Sequence, residues 1–256
     1  MVLLACVLAT ALVACAPRHQ PVQLRFILMT PDGVHRLQFY VHDVVLLGSD
    51  GNDYDMRLAR RAPWQSERVA LVDLSPDAGP QMRDAIEAEA PSRVYTGVRF
   101  AVGVPFEMNH LNPLTAAAPL DRGALFWTWQ SGYKFLRLDL SASEHEAAFH
   151  LGSTGCSSPS ALRPPAQPCA QPNVIHVELK NFDPLTQPIQ VRVEAIVAAL
   201  GEAQPSACTG DYSQPACSRA FAATGLDLQR GICARGGPVC SGQQLFFAPS
   251  IDPDAR

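Results

Sequence analysis

RLQFYVHDVVLL, residues 36–47, decides how the chain is read. Aromatic and β-branched residues dominate it. Phe39 and Val41 fall opposite Tyr40, His42 and Val44, the period of two that a strand imposes. The same signature recurs at 22–28, 69–74, 93–104, 125–130, 134–140, 147–151, 174–181 and 189–197. Turn residues separate these runs: Pro31-Asp32-Gly33, the polar stretch 48–53, and Ser131-Gly132. One segment reads as helix, 81–90, rich in acidic residues and alanines and closed by Pro91. A second short helix is expected at 218–224. Many short strands with one or two short helices predict an all-β fold, an antiparallel β-sandwich or Greek-key barrel with disulfide-stapled loops. No internal repeat is present.

Composition narrows the class. The 256 residues carry a net charge of -4, with 17% charged and 47% hydrophobic side chains. That is enough apolar chain for one sizeable core and too little charge for a disordered protein. No basic surplus exists to neutralise phosphates, so nucleic acid is excluded as a partner. The stretch 1–15 is apolar and uncharged, the length of a signal-peptide core and too short to span a membrane. It ends Leu12-Val13-Ala14-Cys15, which looks like a bacterial lipobox, although a basic segment ahead of it is missing. The expected organisation is a lipoprotein-type signal at 1–15, a tether at 16–21 and a single β-domain at 22–256. Cys15 would carry the lipid that anchors the protein to a membrane, in the bacterial periplasm or at the cell surface. An ordinary secretory signal is the alternative, and it too exports the chain.

Export makes disulfides the natural use of cysteine. Of eight cysteines, Cys6 would leave with the signal and Cys15 would take the lipid. Six remain, and six allow fifteen connectivities. Sequential pairing is expected, Cys156 with Cys169, Cys208 with Cys217 and Cys233 with Cys240, because each pair brackets a loop rich in Pro, Gly or Ser. There is no C-x-x-C for a cysteine-based zinc site and no C-x-x-C-H for haem attachment.

The segment Phe126-Trp127-Thr128-Trp129-Gln130-Ser131-Gly132-Tyr133-Lys134-Phe135 holds two of the three tryptophans. In a strand, Trp127 and Trp129 would share a face about 6.5 Å apart. A W-x-W alone reads as a core cluster. Its neighbours change that. The segment resembles the W-x-W motif of the MbnP-like family of bacterial copper-binding proteins, four-cysteine partners of a di-haem peroxidase-like protein. The resemblance extends to Phe39–Val44, to Gly103-Val104-Pro105-Phe106 with Asn109-His110-Leu111-Asn112-Pro113, to Phe149–Cys156 and to the C-terminal cysteine region. Cys233 and Cys240 exceed the family's four.

The resemblance implies a copper-binding protein, not an enzyme, holding one copper ion, Cu(I), with histidines and a tryptophan oxidised to kynurenine. An indole is a poor metal ligand, offering an N–H donor and a π-face. Oxidative ring opening leaves an aryl amine whose lone pair suits copper. Nothing in the chain performs that oxidation. A di-haem cytochrome c peroxidase-like partner, of the MauG and MbnH type, would supply it. The reading leans to Trp129 over Trp127 as the modified residue. His42, His110 and His150 all fall in matching segments and are the candidate ligands. His176 alternates with Glu178 and Lys180 on a solvent face; His145, His35 and His19 are weaker, and Met108 packs. Asp43 is adjacent to His42 in a strand and so should face away from it. The acidic loop Asp50, Asn52, Asp53 and Asp55 lacks EF-hand spacing and reads as a solvated turn. No G-x-S-x-G, H-E-x-x-H or phosphate loop occurs. The rival is a disulfide-stapled β-sandwich interaction module whose tryptophans are structural. A third option makes the tryptophan pair the haem partner's substrate, with copper incidental.

Overall fold

Phe26, Phe39, Phe100 and Phe247 meet edge to face, with ring centroids 5.2–5.9 Å apart along the contacts Phe26–Phe39, Phe26–Phe100, Phe39–Phe247 and Phe100–Phe247. They come from two sheets, and their packing holds one sheet on the other. The computed structural model describes residues 18–29, 33–142, 145–201, 206–240 and 242–250. The signal, the lipobox and Cys15 lie outside the described residues, as does most of the Pro31-Asp32-Gly33 turn.

The strands are β1 (His19–Met29), β2 (Val34–Gly48), β3 (Asp53–Asp55), β4 (Arg57–Leu58), β5 (Val69–Asp73), β6 (Ala85–Pro91), β7 (Tyr95–Val102), β8 (Phe126–Thr128), β9 (Gly132–Tyr133), β10 (Leu136–Ala142), β11 (His145–Leu151), β12 (Ile175–Lys180), β13 (Ile189–Arg192), β14 (Ser206–Thr209) and β15 (Phe247–Pro249). The α-helices are α1 (Phe106–Asn109), α2 (Glu194–Gly201) and α3 (Pro215–Ala222). One sheet runs β15-β13-β1-β6-β4. The other runs β12-β7-β2-β10-β11-β14, with β3 and β5 also on β2, and β8 pairs with β9 alone. The fold is all-β and sandwich-like. Two pairs, β1 with β13 and β11 with β14, are parallel, so the expectation of an antiparallel architecture holds for the remaining pairs only.

Three local expectations need correction. The segment 81–90 is not helical: its second half is strand β6, paired with β1 through Leu24↔Ile86 and Val22↔Ala88. Ile86, Ala88 and Ala90 are buried while Glu87 and Glu89 alternate outward. The alanine and glutamate content favours helix, but the period is two, and pairing overrides propensity. The run 189–197 is strand only to Arg192; Glu194 opens α2, whose Ile196, Ala199 and Leu200 are buried at helical spacing. In 125–130 the strand stops at Thr128, and Trp129 stands in the turn.

The three disulfides join the cysteines sequentially, Cys156–Cys169, Cys208–Cys217 and Cys233–Cys240. β2 organises the rest. Its first half pairs with β10 and its second with β7. Tyr40 is the changeover: its N–H donates to Phe135 O at 2.9 Å and its own carbonyl accepts from Gly103 N–H at 3.0 Å. The fork is filled by a second apolar cluster that includes Tyr40, Val104, Leu120, Tyr133 and Phe135, with Met108 and Phe126 packed against it. This cluster is the floor on which the W-x-W hairpin rests.

Candidate metal centre

The β8–β9 hairpin is built by its turn. Thr128 Oγ1 accepts the Ser131 N–H at 3.0 Å, and Gly132 takes φ +78°. A side chain at Gly132 would meet Asn109: a Cβ there falls 2.5 Å from the Asn109 carbonyl oxygen. Asn109 is buried and locks the hairpin to its neighbours. Its Oδ1 accepts the Tyr133 N–H at 2.8 Å, and its Nδ2 donates to Ser153 Oγ at 3.3 Å. No sequence reading singled out Asn109, although a polar residue between Met108 and His110 at the end of a one-turn helix is a usable signal.

His110 follows on the same turn and is buried. Its Nδ1 lies 3.0 Å from the Trp129 carbonyl, which fixes Nδ1–H as the donor tautomer. Burial lowers its pKa against the opposing pull of that carbonyl, so the ring is neutral at pH 7. Nε2 is left with a lone pair, 3.3 Å from Asn109 Nδ2 and 3.9 Å from Cys169 Sγ. His110, Cys156 and Cys169 place their donor atoms within 4.8 Å of one another. The two sulfurs are bonded to each other, so neither offers a thiolate. In this trio only the imidazole is a strong ligand.

The two tryptophans do not share a surface. The Trp129 ring packs edge to face on Phe126 at 6.2 Å. The Trp127 ring lies over Gly152, where a Cβ would come within 2.5 Å of its Cζ3, and reaches toward Gly210. Trp127 lines an open groove of about 560 Å³ together with Gln130, Ser153, Thr154, Cys156 and Thr209. The hairpin bend, absent from a straight-strand reading, separates them.

His150 is buried on β11, two residues before Gly152 and on the same side of the strand. Its Nε2 donates to Asp139 Oδ1 at 2.6 Å, and Arg137 Nε donates to Oδ2 of the same carboxylate at 2.8 Å. Burial alone would raise the Asp139 pKa, but these two donors outweigh it and bring it to about 2. Trp127 and the Asn109–His110 pair thus gather around the end of β11, at Gly152 and Ser153, two residues beyond His150.

His42 is buried on β2, across from Ala101 of β7. Asp43 does not face away from it. A bulge between His42 and Val45 puts Asp43 at φ +50° and brings its Oδ2 to 2.9 Å from His42 Nδ1. That contact lowers the Asp43 pKa. His176 is exposed, as a solvent face requires, yet it has His42 as a charge neighbour. The protein packed around it, then His42, depress its pKa. His35 is exposed beside Asp77, and His19 opens β1 at the surface. The side chain of His145 lies outside the described residues. In the acidic loop Asp50 accepts from Tyr54 and Asn52, and Asp53 pairs with Arg99, which fits a solvated turn.

The family model described as MbnP matches residues 22–209. A search of the curated proteins finds no match. Among solved structures, MbnP from Methylosinus trichosporium superposes with a TM-score of 0.75 at 24% identity, covering 91% of this chain and 99% of that one.

Proposed function

The chain belongs to the MbnP family, and from that premise we propose that it is an exported, lipid-anchored protein that binds one Cu(I) ion. The ligands are histidine and a W-x-W tryptophan oxidised to kynurenine. His110 is the first ligand. The observation that carries this is its fixed tautomer: the Trp129 carbonyl holds Nδ1–H, so Nε2 carries the lone pair, which accepts from Asn109 Nδ2 at 3.3 Å and would turn to the ion. A neutral imidazole with one nitrogen pinned by an outer partner is the form in which histidine ligates metals. His150 is the second candidate. Asp139 holds its Nε2 as an outer carboxylate does in metal sites, which leaves Nδ1 to face an ion.

Trp127 replaces Trp129 as the favoured site of oxidation. Its ring lines the open groove with Cys156, beside the disulfide that His110 Nε2 faces. Trp129 contributes its backbone carbonyl instead. Opening the indole exchanges one ring carbon for oxygen and frees an aryl amine. The oxidising equivalents come from outside the chain, from a di-haem peroxidase-like partner at the bacterial periplasm or cell surface. Copper, when bound, supplies the affinity for nitrogen donors that draws the amine and imidazole together.

A structural role for the tryptophans has one observation in its favour, the close packing of Trp127 on Gly152. Copper titration of protein produced together with the di-haem partner separates the readings. His110→Ala and Trp127→Phe should each lose Cu(I) binding by tenfold or more, and His176→Ala should retain it. Full affinity in His110→Ala would contradict the proposal.

A further inference from the structure

Two of the disulfides, Cys208–Cys217 and Cys233–Cys240, are sealed in the core, with each cysteine 2% exposed or less. Cys156–Cys169 is different. Cys156 is half-buried and lines the open groove beside Trp127, with Cys169 buried behind it. Exchange requires a thiolate to reach one sulfur, so exposure decides which bridge an external dithiol opens first. A second set of bonds holds the same two chain segments together. Thr154 and Gln171 exchange both backbone N–H···O bonds, at 2.9 and 3.1 Å, and the Ala170 N–H donates to Gly155 O at 3.2 Å. Gln130 Nε2 donates to the Cys156 carbonyl at 2.9 Å. The cysteines therefore stay side by side when the S–S bond is cut. An imidazole faces them: His110 Nε2 lies 3.9 Å from Cys169 Sγ, and the three donor atoms fall within 4.8 Å of one another. The Trp129 carbonyl holds that ring through Nδ1, so its placement does not depend on the bridge.

We propose that Cys156–Cys169 is a reducible bridge, and that its opening by an external dithiol of the thioredoxin class turns the surroundings of His110 into a two-thiolate, one-imidazole site for Cu(I). The inference rests on the reading of His110 as a copper ligand and adds a redox control to that centre. The incoming thiolate bonds to Cys156 Sγ, the S–S bond breaks, and Cys169 takes the electron pair. The second sulfur of the dithiol then displaces Cys156, and the dithiol leaves as a disulfide. Its two protons pass to the cysteines and are released to solvent as the ion binds. Copper stays Cu(I) throughout. Thiolates are the soft donors that select Cu(I), and imidazole suits copper as well. With bonds of about 2.0 Å to nitrogen and 2.3 Å to sulfur at a tetrahedral angle, the two donors lie roughly 3.5 Å apart. The 3.9 Å separation of His110 Nε2 and Cys169 Sγ is near that value. Rotation of the freed cysteine side chains parts the sulfurs to make room for the ion.

The test uses the chain produced without a haem partner, so that the tryptophans are unmodified. Limited treatment with dithiothreitol, then alkylation and peptide mapping, should label Cys156 and Cys169 before Cys208, Cys217, Cys233 and Cys240. After anaerobic removal of the dithiothreitol, Cu(I) titration against a chromophoric chelator should give one ion per chain. Binding should be tenfold or more tighter than in the oxidised chain, with an ultraviolet sulfur-to-copper charge-transfer band. The double variant Cys156→Ser/Cys169→Ser should lose that gain. His110→Ala, which keeps the bridge, should weaken binding by the reduced chain tenfold or more, and His35→Ala should leave it unchanged. Earlier labelling of the core cysteines would overturn the proposal, as would equal Cu(I) affinity in the reduced and oxidised chains. Neither result bears on the kynurenine reading, which is tested with the bridge intact in protein made with the partner.

Discussion

Asp139 shows how much a single carboxylate can carry. Its pKa of about 2 lies below the ordinary aspartate value of roughly 3.9, so the folded state favours the charged form. The sign follows. The stabilisation is present in full above the unfolded-state value and is lost as pH falls from about 4 to about 2. A shift of this size corresponds to on the order of 2 kcal/mol at neutral pH. Urea unfolding of Asp139→Asn against the parent should show a gap at pH 7 whose pH-dependent part shrinks steadily as pH falls from about 4 through about 2. A gap that stays constant over that range would show that the ionised carboxylate contributes nothing. The sequence made His150 visible through its strand phase but gave no hint of Asp139, whose contact with it crosses from β10 to β11. Asp43 is the opposite lesson. Alternation said it faces away from His42, and a bulge reversed it. An aspartate inside a β-branched run was the available warning, because Asp is depleted in strands and enriched at positive φ.

At the scale of elements, the strands with clean alternation were legible and those with helix-forming composition were not. Residues 36–47 became β2 almost to the residue, while Ile86–Pro91 hid a period of two behind alanine and glutamate. The cysteine pairs were legible because each closes a short loop of its own. The W-x-W hairpin was half legible: Ser131-Gly132 marked a turn, but not that the turn takes Trp129 out of the strand. Its packing makes a sharp prediction. Gly152→Ala would place a methyl 2.5 Å from Trp127 Cζ3 and 2.7 Å from the Tyr133 carbonyl, and backbone cannot yield. The substitution should cost about 1–3 kcal/mol, move the tryptophan emission and weaken copper binding. An unaltered spectrum and midpoint would mean that the ring does not rest on Gly152.

Across the whole molecule, function depends on what the two sheets and their loops bring together over long sequence distances. Asn109 and His110 meet Ser153 and the Trp129 carbonyl, and Trp127 rests on Gly152, so two separate segments close over the end of β11. His42, equally prominent in the sequence, lies in one cross-strand row with Ala101 and His176. Residue type and strand phase nominate ligands; strand order decides which of them become neighbours. The central claim is that a W-x-W tryptophan is oxidised to complete a copper centre. The peptide mass of the segment 126–134, from protein produced with its di-haem partner, measures it most directly. One indole carbon replaced by oxygen, at Trp127, is the predicted result. An unmodified mass in the presence of active partner would contradict it.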